Sequence, residues 1–409
     1  MPSVGYANHV NTGAARQGAA GQGKPSSGAM SGPGSFRADP EYVAFRDVVR
    51  SFVEREVLPG QARWQADRYA GRAVWRKAGE LGMLLPDVPQ EYGGGGGTAA
   101  HAAVLPEELA LAGDACLGGV LVQGAVAQYL LHHGTSSQKE RYLPRLASGE
   151  WIAAIAITEP GAGSDIRGIA TVAAPHPDGY LLTGTKRYVS NGHLADLILV
   201  AARNAAASGP VTLLLVERDN VAGVRAGPIP DMIGKRGHDV CDLFLDDVVV
   251  PGEAVLGGVC GRGFGQLMGE LPYERTLIGV TAVATMERAV AQAAKHARTR
   301  RIFGKTLFDL QNVRFRLAEA RTHAVVARAF IDQCITRLSD GGLSAEMAAM
   351  AKWFLTDLEC KVIDECLQLF GGDGYMADHP MARMYVDARV QRIYGGANEV
   401  MLEVIAEAM

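Results

Sequence analysis

The segment Thr158–Asp165 combines glycine with small polar side chains in a way that suits a ligand-binding loop. It reads Thr-Glu-Pro-Gly-Ala-Gly-Ser-Asp and follows an apolar run over residues 151–157 that predicts a buried strand. Because glycine has no Cβ, backbone N–H groups in such a loop can approach a flat or anionic ligand closely. An ordinary strand-to-strand turn explains the same residues, and the loop alone does not decide between the two.

A second segment, Gly184–Gly192, places an aromatic ring and a hydroxyl two residues apart. Tyr188 and Ser190 would share one face of a strand, since side chains at i and i+2 point the same way. The ring could cover a planar group while the hydroxyl bonds its polar edge. A half-buried strand followed by a conventional turn is the structural alternative.

Two more segments lie at predicted helix ends. Residues 300–305 read Arg-Arg-Ile-Phe-Gly-Lys and are followed by Gln311, which sets a guanidinium beside a glycine break. Guanidinium donors match the paired oxygens of a pyrophosphate. Residues 368–375 end a helix in a glycine turn that exposes backbone groups. The structural alternatives are a solvated basic patch and a simple glycine cap.

Composition excludes several classes of function. The chain has 409 residues and a formal net charge of −4, with no basic stripe that could neutralise nucleic-acid phosphates. No apolar run approaches the ~20 residues that a membrane-spanning helix needs. The six cysteines are scattered, which is typical of reduced thiols, so we expect a cytoplasmic protein. The adjacent His132 and His133 should point to different faces, and no metal site is predicted.

The chain divides by composition into a tail and three regions. Residues 1–37 hold no Asp or Glu and few large apolar residues, so we predict a disordered tail, with a targeting segment as the alternative. Asp39 followed by Pro40 then starts a helix. We predict an N-terminal helical domain over 38–150, a central β domain over 151–255 and a C-terminal helical bundle over 256–409.

The fold class predicted from these regions is α+β. Short apolar runs separated by turn signals indicate that the central domain is an antiparallel sheet. The long helical stretches 265–298, 311–338, 344–369 and 397–409 indicate a four-helix bundle that also serves self-association.

The segments at 158, 184, 300 and 368, together with the tail segment 392–400, occur in the order and spacing of the acyl-CoA dehydrogenase family. The chain resembles that family from about Pro40 to its C-terminus. The resemblance implies the family's helical–β–helical fold and FAD as cofactor. The residues that it implies contact FAD are Ile155, Ile157, Thr158, Gly163, Ser164, Tyr188, Ser190, Arg300, Gln311, Gln368, Gly371, Gly372, Ala397 and Glu399.

The resemblance also implies where these residues meet the cofactor. The implied contact residues between Ile155 and Ser164 would line the isoalloxazine and ribityl region, and Tyr188 and Ser190 would lie near flavin N5. Arg300 and Gln311 would hold the pyrophosphate and adenosine end. Gln368–Gly372 would reach across a subunit boundary. Ala397 stands where many members have threonine, so one hydroxyl contact, worth about 1 kcal/mol, should be missing beside Glu399.

The implied reaction is α,β-desaturation of an acyl thioester, in which a carboxylate removes the α-proton and flavin N5 takes the β-hydride. In many members the base directly follows the tail tyrosine, but here Tyr394 is followed by Gly395. Glu274 stands where the long-chain and isovaleryl-type members carry their base, and we predict that it is the catalytic base. Substrate contacts are implied for Ser164, Tyr273, Arg275 and Gly395.

The implied partners are an acyl-CoA substrate, an electron-transferring flavoprotein as acceptor, and copies of the same chain in a dimer or tetramer. Three alternatives stay open at this point. The acyl chain could be carried by an acyl-carrier protein, oxygen could be the oxidant, or the chain could bind flavin without turnover.

Overall fold

The computed structural model describes residues 35–204 and 209–409. Most of the predicted tail lies outside these ranges, but residues 35–37 do not, and for them the prediction of disorder is wrong. Phe36–Ala38 form a short 3-10 helix in which Arg37 is buried. Its guanidinium contacts Glu107 at 3.0 and 3.1 Å and Asp332 at 2.8 and 2.9 Å. These two carboxylates are distant in sequence, so nothing local to Arg37 indicates the pairing.

The N-terminal region is helical, as predicted. Asp39 caps the first helix by accepting a hydrogen bond from the Glu41 amide at 2.8 Å, and Pro40 occupies its first position. The helices of this region are α1 (Pro40–Phe52), α2 (Gln61–Asp67), α3 (Arg72–Glu80), α4 (Ala99–Ala102), α5 (Val104–Ala112), α6 (Val120–His133) and α7 (Ser136–Ala147).

The central region is one seven-stranded sheet with the order β1-β4-β2-β3-β7-β6, and β5 pairs with β4. Its strands are β1 (Ala153–Ala156), β2 (Val172–His176), β3 (Gly179–Ser190), β4 (Leu197–Asn204), β5 (Val211–Glu217), β6 (Val224–Ala226) and β7 (Val240–Val250). Most of its strand pairings are antiparallel, as predicted, but β4 pairs in parallel with both β1 and β2. Hydrophobic patterning does not reveal the direction of a neighbouring strand.

The two faces of β1 lie in different environments. Ala154 and Ala156 are fully buried in an apolar core that the sheet forms with its own neighbouring strands. Ile155 and Ile157 are only partly buried and pack against the core shared with the helices. The sheet therefore turns one face towards the helical regions, and this face carries the loop that follows β1.

The C-terminal region is a helical bundle. Its elements are α8 (Gly263–Thr299), the hairpin strands β8 (Arg301–Ile302) and β9 (Lys305–Thr306), α9 (Gln311–Ser339), α10 (Ala345–Gln368), α11 (Pro380–Arg389) and α12 (Asn398–Glu407). The four predicted helical stretches match α8, α9, α10 and α12 to within two residues at every end. The long α8 packs on α9 and α10, and also on α5 and α6 of the N-terminal region.

Among the described residues, no helix is both long enough and apolar enough to cross a bilayer. The same residues contain no group of three His, Cys, Asp or Glu side chains arranged to hold a metal ion.

Candidate active site

The glycine loop after β1 is open to the cleft between the sheet and the helices. A Cβ added at Gly161 or Gly163 would have no heavy atom within 4 Å, so space is present beside the backbone. The amides of Gly163 and Ser164 donate no hydrogen bond within the described residues. Ile155, Ile157 and Thr158 line the start of this loop with partly exposed side chains. Open glycines and free N–H groups suit close contact with a planar, polar ligand.

A buried ion pair fixes this loop to β3. Lys186 is fully buried, and its Nζ lies 2.6 Å from Glu159 Oε1. The Glu159 carboxylate also accepts hydrogen bonds from the amides of residues 170 and 171, at 2.6 and 3.0 Å. Burial opposes ionisation of Glu159, but these donors outweigh it and hold the carboxyl pKa below its usual value. Sequence reasoning missed this pair, because the two residues lie 27 positions apart and only the packing of the loop on β3 brings them together.

Tyr188 and Ser190 extend the same face from β3. The strand pairing slips between Lys186 and Val189, so Tyr188 occupies a bulge with φ 56° and its ring is 60% exposed. Val189 between them points into the sheet core, so Tyr188 and Ser190 turn away from it. An aromatic ring left this exposed beside an open glycine loop is available to cover a ligand.

His238, which sequence reasoning also missed, supports Ser190. Its Nε2 lies 3.2 Å from Ser190 Oγ, and its Nδ1 has no partner within the described residues. Burial, and then the charge of Lys235, lower the His238 pKa to about 4, so the ring is neutral. An unpaired buried acceptor is tolerated better than an unpaired N–H, which assigns the ring proton to Nε2. His238 then donates to Ser190, and the serine hydroxyl is free to donate into the cleft.

The remaining predicted cofactor residues do not join this face. Arg300 lies about 39 Å beyond Glu274 along the axis of α8, from the residue numbers and a rise of 1.5 Å per residue. The ring of His296 near the end of α8 stacks on Phe370 at 4.3 Å, which brings the end of α10 beside it. The structure therefore gathers a second, exposed group at the far end of the bundle, made of Arg300, Gln311, Gln368, Gly371 and Gly372.

The helix segment that carries the proposed base packs against the tail glycine. Glu274 lies on α8, and the next residue, Arg275, donates from Nε to the Gly395 carbonyl at 3.3 Å. A Cβ at Gly395 would lie 2.5 Å from Ile278 Cδ1, one turn further along α8. These two contacts bring the Gly395 turn against the segment of α8 that carries Glu274.

The turn at Gly395 and Gly396 presents backbone donors. Both glycines have left-handed φ values, 64° and 93°. Their carbonyls accept hydrogen bonds. Arg275 Nε donates to the Gly395 carbonyl, and the buried Lys352 Nζ donates to the Gly396 carbonyl at 2.7 Å. Their amides donate no hydrogen bond within the described residues. Such a pair of free N–H groups can stabilise an oxygen that gains negative charge.

Ala397 and Glu399 lie where this turn enters α12. Ala397 occupies the N-cap position and supplies no side-chain cap. Glu399 is exposed in the first turn of the helix.

Tyr273 points away from Glu274 into the helical region. It is buried, and a Cβ at Gly124 on α6 would lie 3.2 Å from its hydroxyl. It borders a narrow apolar cavity with only about 10 Å³ of free space, roughly the room for one water. The other walls of this cavity are formed by Met83, Leu84, Leu105, Val120, Leu121 and Leu277, among others.

The prediction that His132 and His133 point to different faces is wrong. Both rings reach the carboxylate of Glu270, at 3.0 and 2.9 Å. Glu270 lies on α8, and its carboxylate contacts both rings. The packing of α8 on α6 determines this contact, so the order of residues along α6 does not predict it.

The electrostatic setting of Glu274 suits a base. Burial raises its pKa to about 7, Arg275 opposes the shift, and the negative charge of Glu270 adds to it. A carboxylate with a pKa near the working pH is both largely available and basic enough to take a proton.

We expect the activity of this protein to fall below pH 7 because Glu274 accepts a proton only when ionised. Activity is therefore present above its raised pKa and is lost as the pH falls through about 7. Stability changes in the opposite sense, because the folded state holds this proton more tightly than the unfolded chain does and loses that contribution as the pH rises through 7. The pH profile of kcat/KM is the measurement, and an acidic limb near the ordinary glutamate value of 4.5 would contradict the assignment.

Comparison with known proteins agrees with this geometry. The model of the acyl-CoA dehydrogenase N-terminal domain matches residues 39–150, the middle-domain model 154–248 and the C-terminal-domain model 261–409. The chain is 40% identical to mouse (Mus musculus) long-chain specific acyl-CoA dehydrogenase, mitochondrial, over 90% of its own length and 86% of the relative's.

Solved structures give the same result. An acyl-CoA dehydrogenase from Geobacillus kaustophilus superposes with a TM-score of 0.87 at 36% identity, covering 91% of this chain and 99% of the other. One from Bacillus anthracis, solved in complex with FAD, gives a TM-score of 0.85 at 28% identity, covering 90% and 66%. The resemblance and the fold class predicted from the sequence are both confirmed, and the chain belongs to the acyl-CoA dehydrogenase family.

Proposed function

We propose that this protein is an FAD-dependent dehydrogenase of acyl-CoA thioesters in which Glu274 removes the α-proton of the substrate. The observation that carries the proposal is the position of Glu274, a half-buried carboxylate with a raised pKa, on the α8 segment that packs against the turn of Gly395 and Gly396. Family membership supports the reaction class, and the site geometry supports the role of each residue.

The residues present fit FAD. The open Gly161 and Gly163 positions and the exposed ring of Tyr188 leave a face for a flat ring system, and Ser190 offers it a hydroxyl. Ile155, Ile157, Thr158, Gly163 and Ser164 would hold the same ring system from the loop side. When bound, FAD accepts the hydride that leaves the substrate β-carbon.

The chain's own groups perform the rest of the reaction. Glu274 takes the α-proton, and the amides of Gly395 and Gly396 stabilise the thioester oxygen as enolate charge develops on it. Arg275 and Lys352 hold the turn in place through the two glycine carbonyls. Ser164, exposed at the tip of the glycine loop, contacts the thioester or its pantetheine arm.

The second residue group implies a shared cofactor site. Because Arg300 and Gln311 lie with the Gln368–Gly372 turn, all of them would serve a partner's FAD. This differs from the sequence analysis, which assigned only the 368–372 turn to the subunit boundary. Ala397 and Glu399, which follow the Gly395–Gly396 turn, would contact the adenosine diphosphate portion of the FAD bound beside that turn. We infer a homodimer or homotetramer with an electron-transferring flavoprotein as electron acceptor, and a cytoplasmic location.

A catalytic carboxylate should also function when it is placed at position 395 instead of position 274, because both positions border the same substrate site. We expect Glu274→Gly with Gly395→Glu to recover part of the activity lost in Glu274→Gly. A left-handed φ costs a non-glycine residue about 1–2 kcal/mol, and Ile278 Cδ1 obstructs a new Cβ. Adding Ile278→Val, which removes that methyl group, should therefore increase the recovery.

Anaerobic flavin bleaching by an acyl-CoA is the measurement for these variants, with Ile278→Val alone as the control. Absence of bleaching in every folded, FAD-loaded relocated variant would contradict the two-wall arrangement.

A panel of saturated acyl-CoA esters, from butyryl-CoA to stearoyl-CoA and including branched acyl groups, tests the function itself. The purified protein should be yellow, and at least one ester should bleach its flavin under anaerobic conditions. A protein that binds no FAD, or whose flavin no ester reduces, would refute the proposal. Longer acyl groups require the small cavity beside Tyr273 to widen. The dependence of the bleaching rate on acyl length therefore also measures how far this cavity can widen.

A further inference from the structure

A polar cavity lies where the three regions of the chain meet. It has about 60 Å³ of free space, which at roughly 10–15 Å³ per water is room for about four to six waters. Its walls come from the start of α2 and the end of α5, from the loop before β7, and from α8, α10 and α11. None of its lining residues belongs to the proposed active site, so the cavity has no role in the reaction described above.

Three cationic side chains line this cavity without an ion-pair partner. Lys235, Arg288 and Arg383 form no salt bridge within the described residues, and their side chains make no hydrogen bond there. Arg288 packs its guanidinium against the backbone at Gly113, where an added Cβ would lie 1.2 Å from Nη1. Burial, and then the positive charge of Arg383, lower the pKa of Arg288. Unpaired guanidinium groups that line one cavity favour a bound anion, whose paired oxygens match their donors.

The acidic groups of the lining do not contact these cations. Asp114 accepts hydrogen bonds from a backbone amide at 2.9 Å and from Gln61 Nε2 at 3.0 Å. Asp387 accepts one from a backbone amide. The third acidic residue, Glu359, is fully buried, and burial raises its pKa to about 8, so it is mostly uncharged at pH 7. Three cations and two ionised carboxylates leave the lining with a net positive charge.

Two unpaired polar atoms lie on the buried wall of the cavity. Glu359 and Gln391 are 0% and 1% exposed, and Gln391 Nε2 donates to Glu359 Oε1 at 2.9 Å. Glu359 Oε2 and Gln391 Oε1 have no hydrogen-bond partner within the described residues. The Thr285 hydroxyl, which lines the same cavity, donates to the Thr281 carbonyl at 2.9 Å and is not free to donate to either atom. Buried polar atoms are nearly always paired, so these two call for a bound partner.

The cations and the two unpaired atoms together indicate the kind of ligand. An uncharged Glu359 can donate from Oε2, whereas Gln391 Oε1 can only accept. A ligand that satisfies all of them has anionic oxygens for the cations and an O–H group for Gln391. Hydrogen phosphate and bicarbonate have both, whereas nitrate, formate and chloride have no O–H group. We propose that the cavity binds one small oxyanion that carries a hydroxyl group, between the three cations and the Glu359–Gln391 pair.

Isothermal titration calorimetry of the full-length, FAD-loaded protein at pH 7 tests the site. Sodium phosphate, bicarbonate, nitrate and formate are titrated separately, and sodium chloride keeps the ionic strength constant. Phosphate or bicarbonate should fill one site per chain about tenfold or more tightly than nitrate and formate, because only they can donate to Gln391. The flavin spectrum should not change during the titration, and the midpoint of thermal unfolding should rise with the concentration of the ion that binds.

Two variants test the two ends of the site. Arg383→Met, at an exposed position where folding should not suffer, should weaken binding about tenfold or more, the value of one charge-assisted hydrogen bond. Arg76→Met, an exposed arginine on α3, is the matched control and should bind like the wild type. Gln391→Met should reduce the preference for phosphate or bicarbonate over nitrate.

Four results would overturn the proposal. They are the absence of saturable binding, equal affinity of the wild type for nitrate and for both hydroxyl-bearing ions, wild-type affinity in Arg383→Met, and binding that displaces FAD. The site does not depend on the identity of the catalytic base, so loss of activity in Glu274→Gln has no bearing on it.

Discussion

Replacement of Glu274 by glutamine is expected to slow anaerobic flavin bleaching by about 10²–10⁴-fold, the usual contribution of a positioned general base. The substitution keeps the shape of the side chain and removes its capacity to accept a proton. FAD should remain bound, because Glu274 lies on the α8 wall and not among the loop residues at 158–164 and 188–190. Stopped-flow absorbance of the flavin measures the rate, and the spectrum before mixing measures cofactor content.

A second readout checks that the same carboxylate is responsible. Since burial raises the pKa of Glu274, its ionised form costs stability above pH 7, and the glutamine variant should melt at a higher temperature than the wild type at pH 8. Glu403→Gln, an exposed glutamate on α12, is the matched control and should leave both bleaching and melting unchanged. A Glu274→Gln protein that bleaches at the wild-type rate would remove this residue from the mechanism.

Replacement of Lys186 by methionine is expected to give the largest loss of stability. The methionine fills similar space but leaves Glu159 buried without its cation, and removal of one partner of a buried ion pair costs about 3–5 kcal/mol. The loop that carries Gly161 and Gly163 is attached to β3 through this pair. We therefore expect weaker FAD binding in addition to a lower midpoint of thermal or denaturant unfolding.

The double variant Lys186→Met/Glu159→Gln separates charge from packing. It removes the unpaired carboxylate charge and keeps one acceptor oxygen for one of the two amides, that of residue 170 or 171, so it should be more stable than Lys186→Met alone. Titration of the apoprotein with FAD should follow the same order. If Lys186→Met unfolds at the same midpoint as the wild type, the pair does not hold the loop.

The sequence by itself determined much of the local structure. Asp39 and Pro40 predicted the start of α1, because an N-cap and a first-turn proline act over a few residues. The long helices were found for the same reason, since the pattern that specifies them is repeated within each segment. The glycine loop and the Tyr188–Ser190 pair were also found, because close backbone approach and strand alternation are local properties. The order of five such segments was enough to predict the family.

Only the tertiary structure decided which distant groups meet. Arg37 was assigned to a disordered tail because its partners Glu107 and Asp332 lie far along the chain. The contacts of His132 and His133 with Glu270, and of Lys186 with Glu159, depend on how helices and strands pack. Arg300 joins the end of α10 because α8 is long enough to carry it away from Glu274. The sequence shows which side chains are charged. The packing of separate helices and strands determines which oppositely charged groups they contact.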